Sequence, residues 1–148
     1  MSDIFSTPAL RLLQAGDAIK ARLAGEFSAV HGLSVNEMFL LMHLEQASRN
    51  RLSRVELARR LHMSASTVTR MATPMEKIGL LKRQADERDA RLAFVVLTQA
   101  GLEKVKEARA TFAEQASNVF RDRWSDEDVA VLSELLGRMV ADAPGSLT

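Results

Sequence analysis

The segment from Ser53 to Leu97 constrains this chain more than any other. Ser53 with Glu56 three positions on reads as a capping box that opens a short helix. That helix carries Val55, Leu57, Ala58 and Leu61. His62 and Met63 make a turn, and Ser64 caps a further helix that should run to about Ile78 and stop at Gly79. Two strand-like runs follow, Leu80–Gln84 and Leu92–Leu97, the second reading LAFVVL. A polar loop, DERDAR, lies between them. Ala58 supplies the small residue that two crossing helices need, and Leu57, Met63, Val68 and Met71 supply the apolar set. No glycine stands at the turn, so a positive φ there falls on His62, with some strain.

The flanks read as helix. Pro8 opens a first helix with Leu12, Ile19, Leu23 and Val30 on one stripe, and Gly32 ends it. Ser34 and Glu37 form a capping box for a second, with Met38, Phe39, Leu41, Met42 and Leu44 on its face. Residues 47–52 read as a polar, basic connector. Thr98 caps a long helix to about Arg123 that buries Leu102, Val105, Ala108, Phe112, Ala116, Val119 and Phe120. Ser125 starts a last helix with acids at 126–128 and an apolar set of Val129, Leu132, Leu135, Leu136 and Met139. The final APGSLT reads as a frayed tail. The fold class is mainly α with a small β-hairpin wing: a winged helix-turn-helix core flanked by N- and C-terminal dimerisation helices. The boundaries are 1–33 for the N-terminal helix, 34–97 for the core and 98–148 for the C-terminal helices. The outer helices carry more apolar surface than the core can cover, which predicts pairing with a second copy.

Net charge is only +1, but its distribution is uneven. Residues 49–91 hold eleven Lys/Arg against five Asp/Glu, while the rest of the chain is net acidic. A near-neutral chain with one basic segment is the electrostatic footprint of a groove binder. The absence of cysteine excludes disulfides, thiolate nucleophiles and Cys-ligated zinc, and fits a reducing compartment. The N-terminal MSDIFSTPALRLLQ has no basic region ahead of an apolar run, and the longest uncharged run, Leu92–Leu102, is far too short to span a bilayer. A cytoplasmic protein with no membrane partner is the expectation.

A helix-turn-helix followed by a hairpin is the layout of a winged DNA-reading module, so double-stranded DNA is the expected partner. With Val68 and Met71 turned inward, the opposite face of the reading helix presents Ser66, Thr67, Thr69, Arg70 and Thr73. Short hydroxyls suit phosphates and thymine methyls, and an arginine can bond a guanine edge in bidentate fashion. Arg51 and Arg54 are candidate phosphate contacts beside that helix. Arg88 and Arg91 at the hairpin tip suit a narrow minor groove, and Asp89 suits a carboxylate that holds an arginine in place. Pro74, deep in the helix, removes a hydrogen bond to the Arg70 carbonyl and predicts a kink. The part before it would read DNA; Met75 and Ile78 after it would anchor to the core.

The run GLLKRQADERDARLAFVVLTQAG at 79–101 resembles the signature of MarR-type regulators: a glycine after the reading helix, a basic residue on the next strand, an Asp-x-Arg wing, then Leu-Thr with a glycine three residues after the Thr. LSRVELARRLHMSASTVTRM at 52–71 is similar to that family's helix-turn-helix, and the likeness extends over essentially the whole chain. The resemblance implies a homodimeric transcription factor, usually a repressor, on a pseudo-palindromic operator. It also implies small aromatic or phenolic effectors, bound where the dimer interface meets the winged module, that lower DNA affinity. Carried over by position, Ser64 to Arg70 and Thr73 would lie in the major groove. Arg88 or Arg91 would enter the minor groove, with Asp89 supporting Arg91. The chain departs from the pattern at Pro74, and without cysteine it stands outside the peroxide-sensing branch.

Phe39, Met42, His43 and Phe112 are candidates for contacting an effector, against ordinary core packing as the plainer reading. None of His31, His43 and His62 pairs with another at helical spacing, so no metal or cofactor is expected. No phosphate loop, nucleophile elbow or HExxH pair is present, and the acids at 126–128 suit a helix N-terminus, so no catalysis is expected. Two other readings fit the residues: an architectural DNA-binding protein with little sequence preference, and a dimeric winged-helix interaction module that no longer reads DNA.

Overall fold

The computed structural model describes residues 3–89 and 91–148; Ala90, within the DERDAR loop, lies outside them. Helix α1 (Ser6–His31) leads into α2 (Val35–Gln46), then a single 3-10 turn (Ser48–Asn50) and strand β1 (Arg51–Ser53). Next come α3 (Arg54–Leu61), α4 (Ala65–Lys77), β2 (Leu81–Ala85) and β3 (Ala93–Leu97). The long α5 (Gln99–Phe120) and α6 (Asp126–Ala141) close the chain.

Local chemistry accounts for most boundaries. Gly32 ends α1 in the left-handed region (φ 64°). Ser34 and Glu37 form the complete capping box at α2, and Ser125 with Asp128 form another at α6. At α3 only half of the expected box exists: Ser53 Oγ accepts from the Glu56 N–H, but the Glu56 carboxylate turns to Arg59 and Arg60 instead. His62 takes the turn at φ 54°, as the missing glycine requires.

The core is built around α2, which is buried on nearly every side. Phe27, Met38, Leu40, Leu41, Leu44, Leu57, Val68, Met75 and Val105 are sealed within it. Val55 and Ile78, expected on buried faces, are 65% and 69% exposed. Val55 follows the Ser53 cap in the first turn of its helix, and Ile78 sits past the end of α4 as its C-cap. Of the two residues expected to anchor the end of α4, Met75 is buried and Ile78 is not. The helix is continuous through Pro74; Thr73 Oγ1 donates to the Thr69 carbonyl at 2.7 Å just before it.

Among the described residues the sheet has three strands, not two, in the order β1-β3-β2, all antiparallel. Residues 51 and 52, expected as connector, and the cap residue Ser53 pair with Val96, Val95 and Phe94. Three residues are too few to show an alternating pattern, and Ser53 doubles as the α3 cap. The tail is not frayed either. Gln46 Nε2 donates to the Leu147 carbonyl at 2.9 Å, Leu147 packs on the core, and Gly145 lies against the Arg60 side chain.

The Leu-Thr-x-x-Gly run forms the joint between wing and long helix. Thr98 Oγ1 accepts from the Gly101 N–H at 3.1 Å and can donate to the Gly79 carbonyl at 2.6 Å. The Thr98 N–H donates to the Leu80 carbonyl at 3.1 Å. Gly101 is buried where a Cβ would stand 2.3 Å from that same carbonyl oxygen. Only glycine lets α5 start this close to the base of β2.

Candidate nucleic-acid interface

Three features bear on a nucleic-acid interface: the exposed face of α4, the wing between β2 and β3, and arginines that lack a carboxylate partner among the described residues. On α4, Val68 and Ala72 are buried, while Ser66 and Arg70 are exposed and Thr67, Thr69 and Thr73 half-exposed. The hydroxyls form a chain. Ser64 Oγ lies 3.0 Å from Ser66 Oγ and 2.8 Å from Thr67 Oγ1, and Arg70 Nη2 donates to Thr67 Oγ1 at 3.2 Å. Thr69 and Thr73 donate back to their own helix, at the Ala65 and Thr69 carbonyls, so outward they present methyls and acceptor lone pairs.

The two arginines expected beside the reading helix separate. Arg54 Nη1 donates to Thr69 Oγ1 at 3.0 Å, which places it against α4. Arg51 lies elsewhere. Its guanidinium sits 4.5 Å over the Phe94 ring and donates to Gln84 Oε1 at 3.0 Å, at the base of the wing. Strand register explains this. Arg51, Phe94 and Gln84 share one face of the sheet, while Leu52, Val95 and Leu81 face the core. An arginine at position 51 therefore points away from α4.

Two Asx turns shape the wing tip. Asp86 Oδ1 accepts from the Arg88 N–H at 2.8 Å, and Asp89 Oδ1 accepts from the Arg91 N–H at 3.0 Å. Asp89 also holds the Arg91 side chain, with Nε 3.1 Å from Oδ1. The Arg91 backbone bond, then its side-chain bond, keep the Asp89 carboxyl below the usual carboxylate range. Arg91 itself stays almost fully exposed beyond the pair.

Pairing elsewhere sorts the cations. Arg59 and Arg60 bind Glu56, and Arg83 binds Glu76, which ties β2 to α4 at 3.0 Å. Hydrogen bonds from Arg59 and then Arg60 pull the Glu56 carboxyl down to about 2. Arg49, Arg51, Arg54, Arg70 and Arg88 have no carboxylate partner among the described residues. These charges are available to an anionic partner; the paired ones act as struts.

A cleft of about 760 Å³ lies behind the helix-turn-helix, lined by Phe39, His43, Arg60, His62 and Met63 and walled by residues 143–148. Of the four effector candidates, Phe39 and His43 line it; Met42 is buried and Phe112 packs on the core. His43 is buried with its Nδ1 unpartnered among the described residues. Burial first, then the charge of Arg60 and the proximity of His62, push its pKa down. Arg60, His62 and the tail came into the cleft without a sequence signal. They are distant from α2 along the chain, and only the fold assembles them. Among the described residues no group of acids and histidines is arranged to hold a metal ion, and no helix is long and apolar enough to cross a membrane.

The outer helices leave apolar surface open. No residue of α6 is buried, and Leu13, Val131, Leu135 and Met139 are each about half exposed or more. Trp124 packs edge-on to Phe120, with ring centroids 5.6 Å apart, and is 44% exposed.

Residues 33–92 match the model of the MarR family. The chain is 28% identical over 111 residues to the HTH-type transcriptional repressor YetL of Bacillus subtilis, a stretch that covers 75% of this chain and 66% of that protein. It is 36% identical over 76 residues to the transcriptional regulator AdcR of Streptococcus pneumoniae, about half the length of each. Its fold is similar to that of Sco3205, a MarR family transcriptional regulator from Streptomyces coelicolor solved in complex with DNA. The TM-score is 0.79 at 23% identity, over 97% of this chain and 95% of that one.

Proposed function

We propose that this chain is a member of the MarR family, whose model it matches over residues 33–92, and that it is a homodimeric, sequence-specific DNA-binding regulator of transcription, acting in the cytoplasm. The relatives it matches are transcriptional regulators, not enzymes. One observation carries the reading: Arg70 and Arg88, without a carboxylate partner among the described residues, lie on α4 and the wing, with Arg54 held against α4 and the hydroxyls of Ser64, Ser66 and Thr67 at its start, and these are the two elements of a winged module that meet DNA. In this reading Ser64, Ser66, Thr67, Thr69, Arg70 and Thr73 face the major groove. Arg54 serves the adjoining phosphates, and Arg88 and Arg91, the latter braced by Asp89, serve the minor groove. Residues 34–97 read the operator. Residues 1–33 and 98–148 pair with a second copy, which covers the open faces of α1 and α6. A symmetric pair places two reading helices about one DNA turn apart and favours a pseudo-palindromic site.

Repression released by a small aromatic acid or phenol is the regulatory part of the proposal. The cleft at Phe39 and His43 supports it, with an apolar wall, a buried nitrogen without a partner and the Arg60 charge nearby. An effector bound there would select a dimer whose reading helices are misspaced for the groove. The test is a gel shift with the DNA upstream of the protein's own gene against shuffled DNA of equal length, at two salt concentrations. Selective retention that weakens with salt is expected. Equal retention of both fragments would instead mark an architectural protein.

A further inference from the structure

Beside the wing, on the sheet face turned away from the core, lies a polar groove of about 470 Å³, lined chiefly by Arg49, Arg51, Gln84, Glu87, Arg88 and Phe94. It is separate from both the α4 face and the cleft at His43. Three of its residues are arginines, and none has a carboxylate partner among the described residues. Asp86, which also borders it, spends one carboxylate oxygen on the Arg88 N–H, and Glu87 stands exposed at the rim.

The groove is held in shape before any partner arrives. The Arg51 guanidinium is stacked on Phe94 and fixed by Gln84 through Nη1, leaving its other nitrogens free. Stacking of this kind orients a guanidinium without neutralising it. Arg49 is fixed from the backbone side. It and Asn50 both take positive φ, 57° and 53°, a conformation that non-glycine residues rarely adopt. Asn50 secures the pair by donating its side-chain amide to the Glu45 carbonyl at 3.0 Å and the Leu44 carbonyl at 3.4 Å, at the end of α2. The left-handed pair carries Arg49 to the rim of the groove, alongside Arg51.

We propose that Arg49 and Arg51, at the foot of the wing whose Arg88 serves the minor groove, form a second backbone-phosphate clamp, on the strand across the minor groove from the one nearer α4. The proposal rests on the DNA-binding reading and deepens it. A hairpin tip placed in a minor groove has a phosphate strand on each side. On the α4-facing side, Arg54 lies against α4 and is free of a carboxylate partner among the described residues. The other side carries this groove, with Lys82 on the same sheet face, and the groove's chemistry is that of a phosphate site: forked donors, already oriented. Arg49 therefore sets register and affinity while carrying no sequence information.

The test compares wild type, Arg49→Asn and Arg49→Lys on the duplex that the wild type retains best from a randomised pool. Asparagine tolerates positive φ, so Arg49→Asn removes the charge and keeps the turn. Losing one phosphate contact per protomer lowers the slope of log K against log salt by about 0.9, so roughly 1.8 for a dimer. Arg49→Asn should show that loss with an unchanged ranking of sequences and an unchanged thermal melt, and Arg49→Lys should keep most of the slope. A hydroxyl-radical footprint should lose protection on the strand opposite α4. A wild-type slope and footprint for Arg49→Asn would overturn the clamp while leaving the DNA-binding reading intact. If the groove serves a free anion instead, inorganic phosphate will bind in a calorimetric titration and the slope will not move, which also overturns it. If the wild type retains no duplex at all, the reading and the clamp fall together.

Discussion

Replacing Gly101 with alanine tests the joint that fixes the wing to the long helix. The added Cβ would stand 2.3 Å from the Leu80 carbonyl oxygen and 2.5 Å from Leu97 Cδ1. Leu97 can rotate, but the carbonyl is pinned by the Thr98 N–H at 3.1 Å. An ordinary carbon–oxygen contact is about 3.3 Å or more, so α5 must retreat by about 1 Å. That strain costs about 1–3 kcal/mol by analogy with overpacked cores. Weakening the Thr98 cap adds about 1 kcal/mol. Alanine's better helix propensity returns up to about 1 kcal/mol. The net is a destabilisation of about 1–4 kcal/mol, or a fall in Tm of roughly 2–16 °C for a chain of this size. Thermal melts by circular dichroism, at one fixed concentration because the chain is expected to dimerise, read this directly. A Tm within a degree of wild type, or above it, would refute the reasoning that only glycine fits here.

Other outcomes follow from the same geometry. Arg91→Ala should weaken binding to a selected operator by about 10- to 100-fold, as losing a good groove contact worth about 1–3 kcal/mol does. The dimer should sediment unchanged, and wild-type affinity would remove Arg91 from the interface. Replacing His43 with leucine should leave stability unchanged or raise it at pH 7, because it removes an unpartnered buried nitrogen. The pKa of His43 is lowered in the fold, so the unfolded chain binds its proton first. Its contribution is present above about pH 6.5 and is lost as pH falls below that; urea titrations from pH 7.5 to 5.5 should lose less stability in His43→Leu. Glu56, held down to about 2, contributes stability above the ordinary carboxylate range that is lost as pH falls through 4.5 toward 2. It lies near the surface, so Glu56→Gln should cost less than about 1 kcal/mol at pH 7 and flatten that acid limb.

Much of this fold was legible because local chemistry and tertiary packing agree. Ser34, Ser64, Thr98 and Ser125 cap helices where their positions said they would. The Asp89–Arg91 pair needs only two residues and a tight turn, so a motif can reveal it. What stayed hidden depends on distant segments. Strand β1 exists because β3 offers it an edge, and Arg51 turns from α4 because that register fixes its face. The tail is ordered by Gln46 and Arg60, neither near it in sequence. Arg49 counted only as one charge of the basic segment. The place proposed for it at the groove depends on an unusual φ, which no pattern of residue types announces.

Selection of bound duplexes from a randomised pool by the wild-type protein tests the central claim most directly. The account predicts enrichment of an inverted repeat whose half-sites are centred about one helical turn apart, roughly 10–10.5 base pairs. A pool that stays random after repeated rounds, or that enriches one half-site at no fixed spacing, would contradict it.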